Sequence, residues 1–382
     1  MISSAQFTRR YFLSLSAAAG VSAPHIAYAK GVKNKRFIFV LLRGGMDGLS
    51  ALVPTDKRIN ALRGNLIKDP SSYLPINTDF SLHPAFKTLK SLYDNGEASF
   101  IHAAGTAYRK RSHFDAQDFL EVLGSDQFHD GWMNRVLRHI DQDGLALARS
   151  IPLALQGDIN VANWSPPIFD QVSPDVLDRI SSLYSNDIEL KKSLKTARAN
   201  NLENISVNRI ASRRFTLDYP IALAAIGRLM SKDDGPGVGM TALSGWDTHF
   251  NQNVELSRKF EKLDDGFLAL KQHLGDKWSQ SCVVVCSEFG RTVAVNGTRG
   301  TDHGTGGLVM LLGGAIAGGH VKGDWPGLKK KELLNGRDLA PANDVTSILK
   351  GVIRDHLGIN RQKLDTSIFP NSNRAFDGLI KS

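Results

Sequence analysis

Short apolar runs, broken by glycine and charge, alternate along this chain with stretches of helical periodicity. RFIFVLL at Arg36 to Leu42 is the first run. Ala98 to Ala103, Val238 to Leu243, Cys282 to Cys286 and Leu308 to Leu312 follow. Apolar runs without polar alternation predict strands buried on both faces. Between them, Pro84 to Tyr93 carries Phe86, Leu89 and Leu92 at helical spacing. The segment 250–274 does the same with Leu256, Phe260, Leu263, Phe267 and Leu270. Further helices are predicted over 129–143, 215–230 and 343–357, with a short strand over 151–155 and a long charged helical region over 173–200. Strands separated by helices predict an α/β fold around one parallel sheet.

Most of these runs lead into residues that can do chemistry. Arg43-Gly44-Gly45-Met46-Asp47-Gly48 follows the first: a carboxylate framed by glycines, which reads equally as a turn aspartate. After Leu243 comes Ser244-Gly245-Trp246-Asp247-Thr248-His249. Residues two apart on extended backbone face one side, so Asp247 and His249 fit a metal pair, or a loop histidine beside Trp246. Cys286 leads into Glu288 and Arg291. A glycine-rich loop then delivers Asp302 and His303, one hard oxygen and one imidazole for a divalent cation. Ligands in open α/β sheets bind beyond the carboxyl ends of the strands. Reading Asp47, Asp247, Glu288 and the Asp302–His303 pair as all following strands predicts a metal site along one parallel edge. A basic loop (Arg109, Lys110, Arg111) precedes Ser112, a helix N-cap with Asp115 three positions on. An oxygen there also meets free backbone N–H groups and a positive dipole end, which makes Ser112 a candidate nucleophile as well as a cap. GxSxG and a P-loop are both absent from the sequence, so a hydrolase elbow and a nucleotide cradle are not supported.

The N-terminus reads as an address. Thr8-Arg9-Arg10-Tyr11-Phe12-Leu13, an apolar stretch to Val21 and Ala27-Tyr28-Ala29 resemble a twin-arginine export signal with a small-residue cleavage site. Residues 1–29 are therefore expected to be removed, giving a periplasmic or secreted protein whose first partner is the twin-arginine translocation machinery. No apolar run reaches the roughly 18 residues of a spanning helix, so no transmembrane anchor is expected. The net charge is +9, of which Arg9 and Arg10 carry two. The surplus favours an anionic small-molecule or polymer substrate, but it is dispersed, and nucleic-acid binding is not indicated. Cys282 and Cys286 lie four apart on a strand, roughly 13 Å, which is too far for a disulfide. Both read as buried apolar residues.

Four motifs in order, LLRGGMDGLSALVP, RSHFDAQDF, GWDTHFNQ and SEFGRT…GTDHGTGG, resemble the bacterial family catalogued as domain of unknown function 1501. That family is grouped with the alkaline phosphatase and sulfatase superfamily. The resemblance implies a doubly wound α/β fold, a mainly parallel sheet flanked by helices, in one domain over 30–382. A helical cap or insertion is expected at about 160–235. It also implies one or two divalent ions (zinc, manganese, magnesium or calcium) and an oxygen nucleophile. By position, Asp47, Asp302 and His303 match the superfamily's metal residues, and Asp247 and His249 resemble those of a second metal. His320 is the nearby downstream histidine for completing that second site, with His113 as a substitute. Ser112 sits where the nucleophile opens a helix. Glu288 is placed at the metal rim, and Arg291, with Arg109 or Arg111, at the anion.

These expectations define an exported, metal-dependent hydrolase of phosphate or sulfate esters. Two other classes stay open: a non-catalytic envelope or polymer-binding protein on the same fold, and a metal-independent serine esterase using Ser112.

Overall fold

The apolar runs become the strands of one large sheet. A computed structural model describes residues 35–64, 66–67, 69–124, 129–165, 187, 218–372 and 374–381. Its strands are β1 (Arg36–Arg43), β2 (Leu52–Pro54), β3 (Leu74–Pro75), β4 (Phe80–Leu82), β5 (Ala98–Gly105), β6 (Gly144–Leu147), β7 (Val161–Trp164), β8 (Val238–Ser244), β9 (Ser281–Cys286), β10 (Gly307–Leu312), β11 (His320–Lys322) and β12 (Asn343–Asp344). The large sheet runs β11-β5-β10-β9-β1-β8-β6-β7, with β12 also paired to β5. A small antiparallel sheet of β2, β4 and β3 stands apart from it. Two short helices, α1 (Gly48–Ala51) and α2 (Arg58–Arg63), flank β2 in the chain.

β1 pairs in parallel with β8 on one side and β9 on the other. β10 is antiparallel to both of its neighbours, β9 and β5. All other pairings in the large sheet are parallel. One reversed strand therefore sits inside an otherwise parallel sheet. Asp302 and His303 follow β9, as expected, in the loop that leads into β10. They precede β10, and because β10 is reversed its first residue lies at the same edge as the last residues of β1, β8, β9 and β5.

Alternation along each strand splits the core into two layers. Ile38, Val40, Leu42, Val283, Val285, Met310 and Leu312 face one cluster. That cluster contains Leu89 and Leu92 of α3 (Lys87–Asp94), Ala222 and Ile226 of α6 (Tyr219–Met230), and Phe260 and Phe267 of α7 (Gln252–Leu274). Phe37, Phe39, Leu41, Cys282, Val284, Cys286 and Leu311 face the other. It contains Leu120 of α4 (His113–Val122), Trp132 and Val136 of α5 (Trp132–Leu137), and Ile348 and Val352 of α8 (Val345–Leu357). Helices on both faces make the sheet doubly wound, as the continuous apolar runs require. The two cysteines are buried and unpaired, and burial pushes both thiols far up.

Some local expectations change. Residues 153–155 form a 3-10 turn, not a strand over 151–155. Pro152 precedes that turn, and Gly131 approaches the Leu153 carbonyl so closely that no strand partner fits there. The helix predicted over 129–143 is only α5. The cap expected at about 160–235 and the charged helical region lie largely outside the described residues, as does the N-terminal signal. No helix among the described residues is long and apolar enough to cross a membrane.

Three buried histidines make the fold acid-sensitive. His102 Nε2 donates to the Leu52 carbonyl at 3.0 Å while Nδ1 accepts from the Ala103 N–H at 2.8 Å. His356 Nε2 donates to the Arg36 carbonyl at 3.0 Å, and His83 Nδ1 accepts from the Ala85 N–H at 3.2 Å. Burial lowers the pKa of each to about 4. An unfolded histidine binds its proton near pH 6.5, so between about pH 6.5 and about 4 the unfolded chain holds more protons. Stability is full above that window and is expected to fall within it by roughly 1.4 kcal/mol per pH unit for each ring. Urea midpoints measured across the window should drop continuously. A flat profile would show that these rings ionise without unfolding the chain.

Candidate metal centre

Loops from four strands meet at the common edge. After β1, Gly44 has a φ of +120° and its Cβ position would lie 2.5 Å from the Asp247 backbone nitrogen. Only glycine lets the β1 and β8 loops cross this closely. After β5, the basic loop ends at Arg111, whose φ of +61° places a non-glycine residue in the left-handed region. Such a conformation costs on the order of 1 kcal/mol. It is held by the ion pair of Arg111 with Asp338 and by the hydrogen bond its carbonyl accepts from His303 Nδ1. Ser112 caps α4, accepting from the Asp115 N–H at 3.5 Å, and His113 opens the helix toward the site.

Three imidazoles and one carboxylate converge. His113 Nε2 and His303 Nε2 are 2.9 Å apart, and His249 Nε2 is 3.1 Å from His303 Nε2. Asp247 Oδ1 lies 2.9 Å from His249 Nε2, 3.2 Å from His303 Nε2 and 3.4 Å from His113 Nε2. Each ring's other nitrogen is committed. His113 Nδ1 donates to Glu288 Oε1 at 2.7 Å, His249 Nδ1 to Asp302 Oδ1 at 3.2 Å, and His303 Nδ1 to the Arg111 carbonyl at 3.0 Å. These acceptors carry no proton to give, so every Nδ1 must donate, and each ring that is neutral turns its Nε2 lone pair inward. Lone pair then faces lone pair across 2.9 and 3.1 Å unless a positive species sits between them. A tetrahedral zinc with bonds near 2.0 Å sets its ligands about 3.3 Å apart, close to these separations. His113, Asp247 and His303 form a compact donor triad, with His249 beside it.

The surrounding charges act differently on each ring. Burial opposes a charge on His113, but Glu288 and then Asp247 outweigh it and raise its pKa. Burial and the neighbouring His113 lower that of His303. Burial would raise Asp247, yet Arg291 and the surrounding histidines hold its carboxyl below the usual range.

The remaining sequence candidates are placed differently from expectation. Asp47 is buried in an ion pair with Arg63, and its Oδ2 also accepts from Ser50 Oγ at 2.8 Å and Gln252 Nε2 at 2.5 Å. It belongs to an internal charge pair and not to the donor cluster. Asp302 stands behind His249 and orients it, with Asn296 Nδ2 donating to the same oxygen at 3.1 Å. Glu288 is buried and takes four donors: the Gly44 N–H, His113, Gln117 and Ser287. Burial pushes its carboxyl up, but those donors outweigh it and keep it ionised. It positions His113. Arg291 is buried beneath the site and donates to Asp247 Oδ1 at 2.8 Å, leaving Nε and Nη1 without protein acceptors. Its described ion pair is with Asp247, which it steadies from beneath. Arg111 is bound to the buried Asp338 at 2.6 and 2.9 Å, and Arg109 turns back onto carbonyls of its own loop. His320 lies on β11, paired opposite Ser99 at the far edge of the sheet, so it cannot complete this site. His113 does join the cluster. Ser112 is adjacent to it in the chain, and no described hydrogen bond links its hydroxyl to a histidine.

Arg337 was missed from sequence. It shares Asp338 with Arg111, and its Nη2 donates to the His303 carbonyl at 3.1 Å while the side chain stays 42% exposed. Two guanidinium groups on one carboxylate leave a net positive charge beside His303. The only signal was an Arg-Asp doublet after Gly336, in a segment with no apolar periodicity.

A family model described as Protein of unknown function (DUF1501) matches residues 221–365. That span runs from within α6 to beyond α8 and holds the GWDTHF, SEFGRT and DHG motifs; the motifs around Asp47 and Ser112 lie upstream of it. No curated protein sequence matches the chain. Among solved structures, the lipoteichoic acid synthase LtaP from Listeria monocytogenes is 10% identical, covering 94% of this chain and 81% of its own, at a TM-score of 0.37. The PH0037 protein from Pyrococcus horikoshii is 7% identical, covering 74% of this chain and 86% of its own, at a TM-score of 0.32.

Proposed function

We propose that the chain is a metal-dependent hydrolase of phosphate or sulfate esters, exported by the twin-arginine route. The observation that carries the reading is the inward convergence of three Nε2 lone pairs and Asp247 Oδ1, each ring fixed by an acceptor on its Nδ1. His113, Asp247, His249 and His303 would hold one divalent cation. A nitrogen-rich set of this kind favours zinc over magnesium or calcium. When bound, the cation supplies Lewis-acid polarisation of a substrate oxygen and lowers the pKa of a nearby hydroxyl.

The chain's own residues do the rest. Glu288, Asp302 and the Arg111 carbonyl keep the rings in the binding tautomer. Arg337, with the free edge of Arg111, attracts and orients the anion beside His303. Ser112 is the candidate nucleophile: it starts α4 next to His113, and among the described residues its hydroxyl makes a long cap bond. Attack by its oxygen on the phosphorus or sulfur, with loss of the hydroxyl proton, would break the bond to the ester oxygen and expel the alcohol; water would then break the resulting serine phosphate or sulfate ester, restoring the serine and freeing inorganic phosphate or sulfate. One domain over 30–382 would carry these parts.

The test is turnover of a panel of phosphate and sulfate esters by the metal-loaded protein, beside Ser112→Ala. The variant should keep its metal and lose turnover at least about 100-fold. Full turnover in the variant would remove Ser112 from the chemistry. A metal-loaded wild type that hydrolyses no ester would leave a binding protein on this fold.

A further inference from the structure

Three polar side chains occupy the sheet-facing stripe of α4. His113, Gln117 and Glu121 recur four apart, which sets them one above another on the helix. The stripe lies on the buried side: Phe114, Asp115 and Asp118 are exposed, whereas Glu121 is 1% exposed. Apolar residues ordinarily hold such positions, and a polar group there costs stability unless it finds a partner. Each of the three does. His113 Nδ1 donates to Glu288 Oε1 at 2.7 Å, and Gln117 Nε2 donates to the same oxygen at 2.9 Å. Glu121 is ion-paired with Arg43, the last residue of β1, and its Oε2 accepts from the Ala154 N–H at 3.1 Å. Arg43 Nη1 also donates to Gln117 Oε1 at 2.6 Å. A continuous chain of contacts thus runs from Glu121 through Arg43, Gln117 and Glu288 to a ring of the histidine cluster.

The chemistry of the chain gives it one direction. A guanidinium only donates, so Arg43 must meet the oxygen of the Gln117 amide. The amide nitrogen is thereby turned to Glu288, whose carboxylate only accepts. Glu288 Oε1 then takes the Gly44 N–H at 2.9 Å, Gln117 and His113, while Ser287 Oγ holds Oε2 at 2.8 Å. We infer that Gln117 is a positioning residue for the metal centre: pinned by Arg43, it holds Glu288 Oε1 against His113 Nδ1 and so keeps His113 Nε2 aimed at the cluster. The inference rests on reading the cluster as a metal site and adds a residue one step behind Glu288. An apolar side chain of the same length would fill the same space and leave Oε1 a donor short.

The experiment uses the full chain, with zinc as the probe, and has two readouts. Zinc affinity is measured by competition with a chromophoric chelator. Solvent exchange of the His113 Nδ1 proton is followed by NMR of the metal-free protein with isotopically labelled histidine, the signal being assigned by its loss in His113→Ala. Gln117→Met keeps the length of the side chain and removes the amide donor. Gln117→Glu keeps the shape and puts an acceptor where the donor was. Both variants should bind zinc about tenfold more weakly, the lower end of the range for an outer partner of a metal-binding histidine. In both, the His113 proton should exchange about tenfold faster, because its acceptor is less firmly held. If Gln117 only fills space, both variants would keep wild-type affinity and exchange, and the inference would be overturned. Tighter zinc binding by Gln117→Met would overturn it too, because the amide would then be weakening the acceptor that His113 uses. A wild type that binds no zinc would overturn the metal reading, and proton exchange in the metal-free protein would still decide whether Gln117 positions His113.

Discussion

His303→Ala is expected to empty the metal centre while leaving the sheet folded. His303 Nε2 is the atom common to the cluster, lying within 3.2 Å of His113, His249 and Asp247. Removing it leaves donors that no longer surround one point. The side chain is half-buried in a loop before β10 and, though it packs against Phe289, lies outside the large core clusters, so unfolding by denaturant should change little. Metal content by mass spectrometry should fall from near one equivalent to background. Glu288→Gln supplies the graded comparison. Its amide oxygen can still accept from His113 Nδ1, so the tautomer survives but the negative charge is lost. Affinity should weaken roughly 10–100-fold without vanishing. A His303→Ala protein that retains wild-type metal would move the centre away from these residues.

Arg63→Ala should be the most destabilising single change near the site. Arg63 is fully buried, pairs with Asp47, and donates to the carbonyls of Val293 at 2.8 Å and Thr292 at 2.5 Å. Burial pushes Asp47 up, but Arg63 outweighs it and holds the carboxyl ionised. Deleting the arginine leaves a buried carboxylate short of its counter-charge and two carbonyls without donors. Breaking a buried pair from one side costs roughly 3–5 kcal/mol. Adding Asp47→Asn removes the stranded charge, so Arg63→Ala/Asp47→Asn should be more stable than Arg63→Ala alone. If the double variant loses as much as the two single changes summed, the pair is not coupled and Arg63 acts only through its carbonyl contacts.

Much of the fold was legible because a strand buried on both faces leaves a plain mark. β1, β5, β8, β9 and β10 all coincide with apolar runs. Strand direction leaves none, and the reversal of β10 was invisible until its partners were known. The site was legible in part for the same reason. Asp247, His249 and His303 were found from their places beside strands, and the structure brings them together. Asp47 had the same signature, yet its partner Arg63 lies on the short helix α2 outside every apolar run, and a tertiary ion pair has no sequence period. His113 was overshadowed by Ser112 next to it, since an N-cap is a local motif and a ring aimed across a sheet edge is not. Arg337 and Asp338 belong to the same class of residue, placed by the fold alone.

The parallel order around β1 governs how the chain must be assembled. Phe37 aligns with Val238 and Arg36 with Ser281, roughly 200 and roughly 245 positions further on. The first described strand to leave the ribosome thus has both edges open until more than half of the chain has followed it. Until β8 and β9 emerge, an apolar ribbon with open edges is available to other chains, and late closure of such long loops is slow. Since the histidine cluster is drawn from the loops that this closure brings together, metal uptake during refolding would follow completion of the sheet and time it.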